Sequence, residues 1–313
     1  MKIASLLPSA TDIVCRLGLE SQLVGRSHSC DAPPSVTRLP ALTRTRVSPH
    51  LSSDAIHESV ENILKEAVSV YDLDEKKLEE LAPDFIITQD LCDVCAVSHG
   101  QVVNACRKAF GDQVTLISLQ PKTLNDVWKT VNEVATAVGA LPAYEAFIRD
   151  VESRTHVIRD RVAGRPRRRV LTIEWIDPVY AGGLWMADMI GLCGGEALYS
   201  KSGEKAEVLS ADQLRAVDPE VVVVKPCGFE LEQTISEMER LRQAVPWENW
   251  TAVREGRLFL VDGNRYFNRP GPFLLESLEI LALCTHPEVF GDFESRYAKS
   301  VIPLTPEMRL PVS

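Results

Sequence analysis

Three sulfurs and an imidazole are the side chains of this sequence best suited to hold a soft metal. Cys92 and Cys95 stand in Asp90-Leu-Cys-Asp-Val-Cys-Ala-Val-Ser-His99, and His28 and Cys30 in His28-Ser-Cys30-Asp31-Ala-Pro-Pro34. Thiolate and imidazole are the donors that zinc and related ions select. Pro33-Pro34 forbids immediate helix, and in an extended segment a His and a Cys two residues apart point to the same side. Should the two loops converge, His28, Cys30, Cys92 and Cys95 form a mixed nitrogen and sulfur set for zinc or iron, with His99 as a further candidate. Four protein ligands make a structural centre, whereas three leave room for a metal-bound water and hence for catalysis. The Cys-x-x-Cys spacing occurs once, so it is weak by itself. A redox dithiol is a further alternative, but such pairs sit at helix N-termini that lower the thiol pKa, a context not obvious in this loop.

The elements that must position these residues are legible from periodicity. Asp84-Phe-Ile-Ile-Thr-Gln89, after Pro83, is an apolar β-branched run that reads as a strand buried on both faces of a parallel sheet. Ligands of open α/β sheets sit outside the carboxyl ends of the strands, which makes Gln89, Asp90 and Leu91 candidate ligand contacts. Residues 2–7 form a strand. Pro8-Ser9-Ala-Thr11-Asp12 then opens a helix to about Leu17, with Ser9 or Thr11 expected as N-cap. The strand-to-helix turn at Pro8 and Ser9 aims backbone N–H groups outward, which suits an anionic or carbonyl group of a ligand, although ordinary capping explains the same residues. Leu23–Ser27 is a strand that delivers His28. Residues 35–53 read as irregular, Ser53–Tyr71 as an amphipathic helix, Glu75–Ala82 as a helix capped by Asp74, and Val114–Leu119 as a strand after a helix from Gly100 to Phe110. Thr123-Leu-Asn-Asp126 resembles a capping box ahead of a valine stripe that ends at Gly139.

A helix restarts at Pro142 and runs to about Val162, long enough at ~30 Å to act as a stiff strut. Beyond it the grammar repeats. Arg169–Trp175 is a strand, a loop through Trp185 leads into the helix Met186–Leu192, and the apolar strand Glu220–Val224 exits at Lys225-Pro-Cys227-Gly228. Strand Leu258–Val261, the loop Asn264–Gly271 and the helix Phe273–Cys284 close the chain. Two copies of one helix, strand and loop arrangement imply two similar lobes. The expected architecture is α/β, with two Rossmann-like lobes joined by a single long rigid helix and a ligand cleft between them. Residues 1–142 form the first lobe, 143–166 the linker helix and 167–313 the second lobe. At 313 residues, two cores are the natural expectation.

Composition narrows the function. Hydrophobic residues at 45% and charged residues at 25% are ordinary for a globular chain. With 34 Lys plus Arg against 44 Asp plus Glu, a net charge of −10 argues against a general nucleic-acid or anionic-membrane binder. The basic run Arg165-Pro-Arg-Arg-Arg169 reads as a solvated linker end. No G-x-S-x-G, P-loop or H-E-x-x-H motif is present, and Gly182-Gly183 and Gly194-Gly195 make no dinucleotide fingerprint. No run of ~18 apolar residues suggests a membrane span. The start, Met-Lys-Ile-Ala-Ser-Leu-Leu-Pro-Ser, has no apolar leader core, so a cytoplasmic location with reduced thiols is expected, or a periplasmic one if a leader has been removed.

Taken in order, five segments carry a resemblance: Ile3-Ala-Ser-Leu-Leu-Pro-Ser-Ala-Thr-Asp-Ile-Val-Cys-Arg-Leu-Gly18, Leu23-Val-Gly-Arg26, Leu78-Glu-Glu-Leu-Ala-Pro-Asp-Phe-Ile-Ile-Thr-Gln89, Ala187-Asp-Met-Ile-Gly-Leu-Cys-Gly-Gly195 and Trp250-Thr-Ala-Val-Arg-Glu-Gly-Arg-Leu-Phe-Leu-Val-Asp262. Together they resemble the cobalamin and iron-chelate branch of the periplasmic-binding-protein superfamily, the class with one rigid helix between lobes. The first segment is most similar to vitamin B12-binding proteins. The resemblance implies a non-catalytic binding or carrier protein that holds a cobalamin-like corrinoid, or a related siderophore or haem chelate, and an ABC transporter permease as partner if the protein is exported. It also implies a cleft lined by aromatic side chains. Trp175, Trp185, Tyr266 and Phe267, with Lys225, are the candidates the second half of the chain offers, since flat rings give large contact area at low entropic cost. Trp247 and Trp250 are expected to pack in the core. The cysteine set is foreign to the importer pattern, so a metal-binding protein or metalloenzyme stands as the alternative.

Overall fold

Six short strands are described in the first 120 residues, and four of them build one parallel sheet. The structure is a computed structural model and describes residues 1–66, 70–89, 99–111, 113–245 and 247–304, the side chains of residues 66, 99 and 101 apart. Two compact units emerge. Unit 1 comprises Met1–Leu51, Ala55–Pro121 and Asn125–Arg149; unit 2 comprises Ser52–Asp54, Lys122–Leu124 and Asp150–Ser313.

In unit 1, β1 (Ile3–Ser5), β2 (Leu23–Gly25), β5 (Phe85–Gln89) and β6 (Thr115–Leu119) are ordered β2-β1-β5-β6. Ile3 stands opposite Leu23 on one side and Phe85 on the other, and Phe85 opposite Thr115, all parallel. Strands of a parallel sheet are covered on both faces by the crossover helices and so read as continuous apolar runs; Ile86 and Ile87 are fully buried. The core gathers Ala4, Leu6, Leu42, Leu78, Ile86, Val102 and Cys106. The surrounding helices are α1 (Pro8–Arg16), α2 (Ser53–Glu66), α3 (Glu75–Leu81), α4 (His99–Phe110) and α5 (Leu124–Ala137). Val127, Val131 and Val134 of α5 are buried as a helical stripe.

Several expectations are corrected locally. Helix α1 begins at Pro8 itself, with Leu7 as an N-cap that gives no side-chain bond, so neither Ser9 nor Thr11 caps it. Proline is preorganised for the first helical position and its missing N–H costs nothing there. Asp74 does cap α3, accepting from Lys77 N–H. The amphipathic pattern from Ser53 is helix over Ser53–Glu66, while Tyr71, expected at its end, belongs to β4 (Tyr71–Leu73), which pairs antiparallel with β3 (Thr43–Thr45), inside the stretch expected to be irregular. The first free N–H of α5, on Leu124, is met by Asp188 Oδ2 at 2.9 Å.

α6 (Leu141–Val162) is one uninterrupted 22-residue helix, and the division between the units falls within it, between Arg149 and Asp150. Unit 2 holds a sheet ordered β12-β11-β10-β7-β8. β7 (Arg168–Trp175), β10 (Val221–Val224) and β11 (Leu258–Val261) are parallel, while β12 (Val301–Pro303) and β8 (Tyr180–Ala181) add antiparallel edges. β9 (Gly195–Ala197) pairs with the first half of β7 in parallel. All four valines of β10 are fully buried. They are the counterpart of β5, each strand lying between two parallel neighbours. The helices of unit 2 are α7 (Met186–Leu192), α8 (Ala211–Ala216), α9 (Leu231–Ser236), α10 (Met238–Ala244), α11 (Thr251–Arg254) and α12 (Leu274–Thr285). Trp247 and Trp250 pack in the core with Leu241 and Val245. Among the described residues, no helix is long and apolar enough to cross a membrane.

The basic run near the start of β7 is consumed locally. Arg165 Nε donates to Arg161 O, Arg167 to Gly195 O, Arg168 to Thr285 O and Glu288, and Arg169 to Glu220.

Candidate ligand-binding site

In unit 1 the β1 exit is fixed by a chain of hydroxyls. Ser5 Oγ donates to Leu7 O at 2.9 Å, Thr11 Oγ1 donates to Ser5 Oγ at 2.8 Å, and Thr11 Oγ1 lies 3.0 Å from Cys30 Sγ. Ser9, at the second position of α1, is buried with an Oγ that finds no partner among the described residues, and Pro8 beside it is half-buried. Gln89 closes β5, buried, opposite Leu119 of β6. Asp90, Leu91, Cys92 and Cys95 lie outside the described residues, as does the side chain of His99.

The other half of the expected metal set is engaged separately. The backbone N–H of His28 donates to Thr43 Oγ1 at 3.0 Å, its Nδ1 lies 2.8 Å from the same oxygen, and its ring stands 5.2 Å from that of Tyr71. The imidazole thus belongs to the β3–β4 pair and the Cys30 thiol to the α1 hydroxyl chain. Burial first, then the charge of Arg26, lowers the pKa of His28. Arg26 itself donates to the carbonyls of Ser27, His28 and Thr37, which sets the path of this loop. Among the described residues no three His, Cys, Asp or Glu side chains are grouped to hold a metal ion. At the β6 exit a cavity of about 370 Å³ is lined by Ser118, Gln120, Asp126, Lys129 and Glu133 among others. Among the described residues no aromatic lines it, and its Lys129–Asp126 pair closes on itself at 3.1 Å.

Unit 2 gathers more chemistry at its strand exits. Lys225, the first residue beyond β10, is 0% exposed, and its Nζ meets Glu174 Oε2 at 3.0 Å and Asn268 Oδ1 at 2.8 Å. It therefore supports the exit from beneath instead of presenting a free cation, because a buried ammonium must be paired. Asn268 Nδ2 donates to Lys225 O at 2.9 Å and to Gly263 O at 2.8 Å, joining the loops after β10 and β11. Trp175, half-buried, turns its Nε1–H to Asp177 O at 3.1 Å and packs its ring 5.2 Å from Phe229.

Trp185 and Phe267 depart from the ligand-facing expectation. They are 5% and 1% exposed, and Trp185 Nε1 donates to Phe267 O at 2.8 Å while Phe267 N donates to Ser277 Oγ at 2.9 Å. The late loop folds inward here, with Phe267 at φ 67°. Tyr266 remains half-buried, edge-on to Tyr297. The role of Trp185 follows: replacing it with Phe, which keeps a ring and deletes the N–H, is expected to cost about 1 kcal/mol of stability in urea unfolding. A lowered affinity for ligand with an unmoved urea midpoint would return the ring to the ligand.

Glu174, Asn268 and Gly263 escaped the sequence reading. The available signal was a carboxylate in the next-to-last position of the strand, directly before the tryptophan that drew attention.

Two α/β units whose central parallel strands deliver polar and aromatic side chains at their carboxyl ends define a ligand-binding protein of the two-lobed class. The chain belongs to the periplasmic binding protein family, whose model matches residues 3–264; its relatives are substrate-binding proteins and not enzymes. Over 294 residues it is 24% identical to the vitamin B12-binding protein of Vibrio cholerae serotype O1, covering 92% of this chain and 89% of that one. Among solved structures it is similar to a periplasmic haem binding protein from Pseudomonas aeruginosa, at 20% identity and a TM-score of 0.67 over 97% of this chain and 95% of that one. It is also similar to the periplasmic vitamin B12 binding protein BtuF of Vibrio cholerae, at 19% identity and a TM-score of 0.61 over 91% and 96%. At these identities the structures speak to the fold, which they share with this chain over nearly its whole length.

Proposed function

We propose that the protein is a substrate-binding protein for a corrinoid of the cobalamin type, held at the strand exits and passed to an ABC transporter permease. The observation that carries this reading is the match, over nine-tenths of the chain, to a curated vitamin B12-binding protein. The unit 2 exit supports it chemically. Trp175 offers a ring whose only N–H is already turned inward, the kind of flat apolar surface a tetrapyrrole face requires. The polar groups around it favour hydrogen bonding over ion pairing, since Lys225 is already matched by Glu174.

The test is to mix the purified protein with hydroxocobalamin, remove free ligand by gel filtration and record the visible spectrum of the protein peak, with haemin in a parallel run. Stoichiometric corrinoid absorbance in the protein peak is expected. Co-elution of haemin alone would overturn the corrinoid in favour of haem, and a colourless peak in both runs would overturn the tetrapyrrole reading.

A further inference from the structure

We infer that Glu174 is a specificity-determining residue, whose outer carboxylate oxygen accepts N–H bonds from neutral amide side chains of the corrinoid and turns away ligands bearing carboxylates at that place. The inference rests on the proposed function and assigns a contact within the same site.

The two oxygens of this carboxylate lead different lives. Oε2 is fully committed, receiving Lys225 Nζ at 3.0 Å and the Gly183 N–H at 3.2 Å. Among the described residues nothing donates to Oε1. The Glu174 side chain is 28% exposed, against 0% for Lys225. The cation is buried and the anion is offered outward.

The group is also rigid. A Cβ on Gly183 would fall 2.3 Å from Ala206 N, so only glycine lets this N–H approach. Lys225 N donates to Ile173 O at 2.8 Å and Cys227 N to Glu174 O at 3.0 Å, which ties the ends of β7 and β10 together on either side of the pair. The cations of the loop after β11 are engaged locally, Arg265 over the ring of Phe273 at 3.7 Å and Arg269 with Asn264 Oδ1 at 2.8 Å.

The chemistry then discriminates. A corrin ring carries acetamide and propionamide arms, whose N–H groups form charge-assisted bonds to a carboxylate. A haem carries two propionates, and two ionised carboxylates in contact each accept while neither donates. Lys225 cannot mediate, because its charge is already balanced.

The experiment compares three probes on the full chain at neutral pH: cyanocobalamin, the monocarboxylic acids made from it by mild hydrolysis of its propionamides, and haemin. The unmodified protein is expected to bind cyanocobalamin about tenfold or more tighter than the monoacid facing Glu174, the ratio that one charge-assisted bond supplies. Glu174→Gln is expected to compress that ratio to roughly threefold or less and to raise haemin affinity. Because Glu174→Gln leaves the Lys225 ammonium unbalanced, the double variant Glu174→Gln, Lys225→Met removes both charges and is expected to show the same compression. A ratio near one in the unmodified protein, or an undiminished ratio in a folded variant, overturns the role of Glu174 while the corrinoid reading stands. Absence of any corrinoid binding by the unmodified protein overturns that reading and this inference with it.

Discussion

One added methyl group at Gly263 is expected to lower the melting temperature by about 6–12 °C and to abolish ligand binding. A Cβ there would sit 2.0 Å from Pro226 O and 2.8 Å from the carbonyl carbon and oxygen of Lys225. All three atoms are backbone, and they cannot retreat. Lys225 N is bonded to Ile173 O, and Asn268 Nδ2 bridges the carbonyls of Lys225 and Gly263. Overpacking of this kind costs about 3 kcal/mol, and each kcal/mol moves the midpoint of a unit this size by about 2–4 °C. Binding suffers as well, because the shift displaces Lys225 and with it Glu174. Gly291→Ala is the control: its backbone is already helical at φ −56° and nothing lies within 4 Å of the new methyl. That variant is expected to melt unchanged or slightly higher. Equal melts for the two variants, read by circular dichroism, would refute the close approach at Gly263.

The second large effect is acid lability centred on Glu279. This residue of α12 is 4% exposed; Oε1 accepts from Arg154 Nε at 2.8 Å, and Oε2 from Arg296 Nη1 at 2.7 Å and from the Tyr297 hydroxyl. Burial opposes its charge, yet the bonds from Arg154, Tyr297 and Arg296 outweigh burial and hold the carboxyl below its ordinary value of 4.5. A group with a depressed pKa in the folded state contributes stability that is complete above its unfolded pKa and drains away as pH falls through the folded one. Unfolding free energy is therefore expected to be level on the neutral side and to fall once pH drops below about 4.5. Glu279→Gln is expected to cost about 2–3 kcal/mol at neutral pH through lost bonds to charged donors. It should also flatten the share of the acid slope that belongs to this residue, while the paired carboxylates of Asp72, Asp218 and Asp292, also lowered, keep theirs. Urea unfolding at a series of pH values decides it. A variant with the parent's slope would show that Glu279 is not the titrating centre.

What the sequence disclosed and what it withheld divide along the range of the interactions. β10, β11, α7 and the 22-residue α6 were legible because apolar runs and helical stripes are local patterns. The β3–β4 pair was not, since Thr43 meets Leu73 across a long separation and each strand is three residues long. Trp185 and Phe267 were expected at the ligand because aromatics in loops suggest recognition. Their burial depends on Ser277 Oγ accepting from the Phe267 N–H and on the Phe267 carbonyl accepting from Trp185, partners no spacing rule connects. Ser9 was singled out both as a cap and as a ligand contact; it does not cap, and its hydroxyl behind a proline start finds no partner among the described residues. At the unit 2 exit the sequence pointed to Lys225 and passed over Glu174, because the burial that turns a lysine into a support for its neighbour is a property of the folded sheet.

The cysteines have a consequence for how the molecule meets oxygen. Burial, with the charges of Glu20 and Asp12, pushes the Cys15 thiol up to about 12, and burial alone raises Cys106 and Cys284; Cys193 is raised chiefly by burial. Oxidants, disulfides and alkylating reagents attack the thiolate. Thiols kept protonated react slowly with such reagents. These four residues therefore tolerate aerobic and reducing surroundings alike, and their presence places no restriction on where such a protein works.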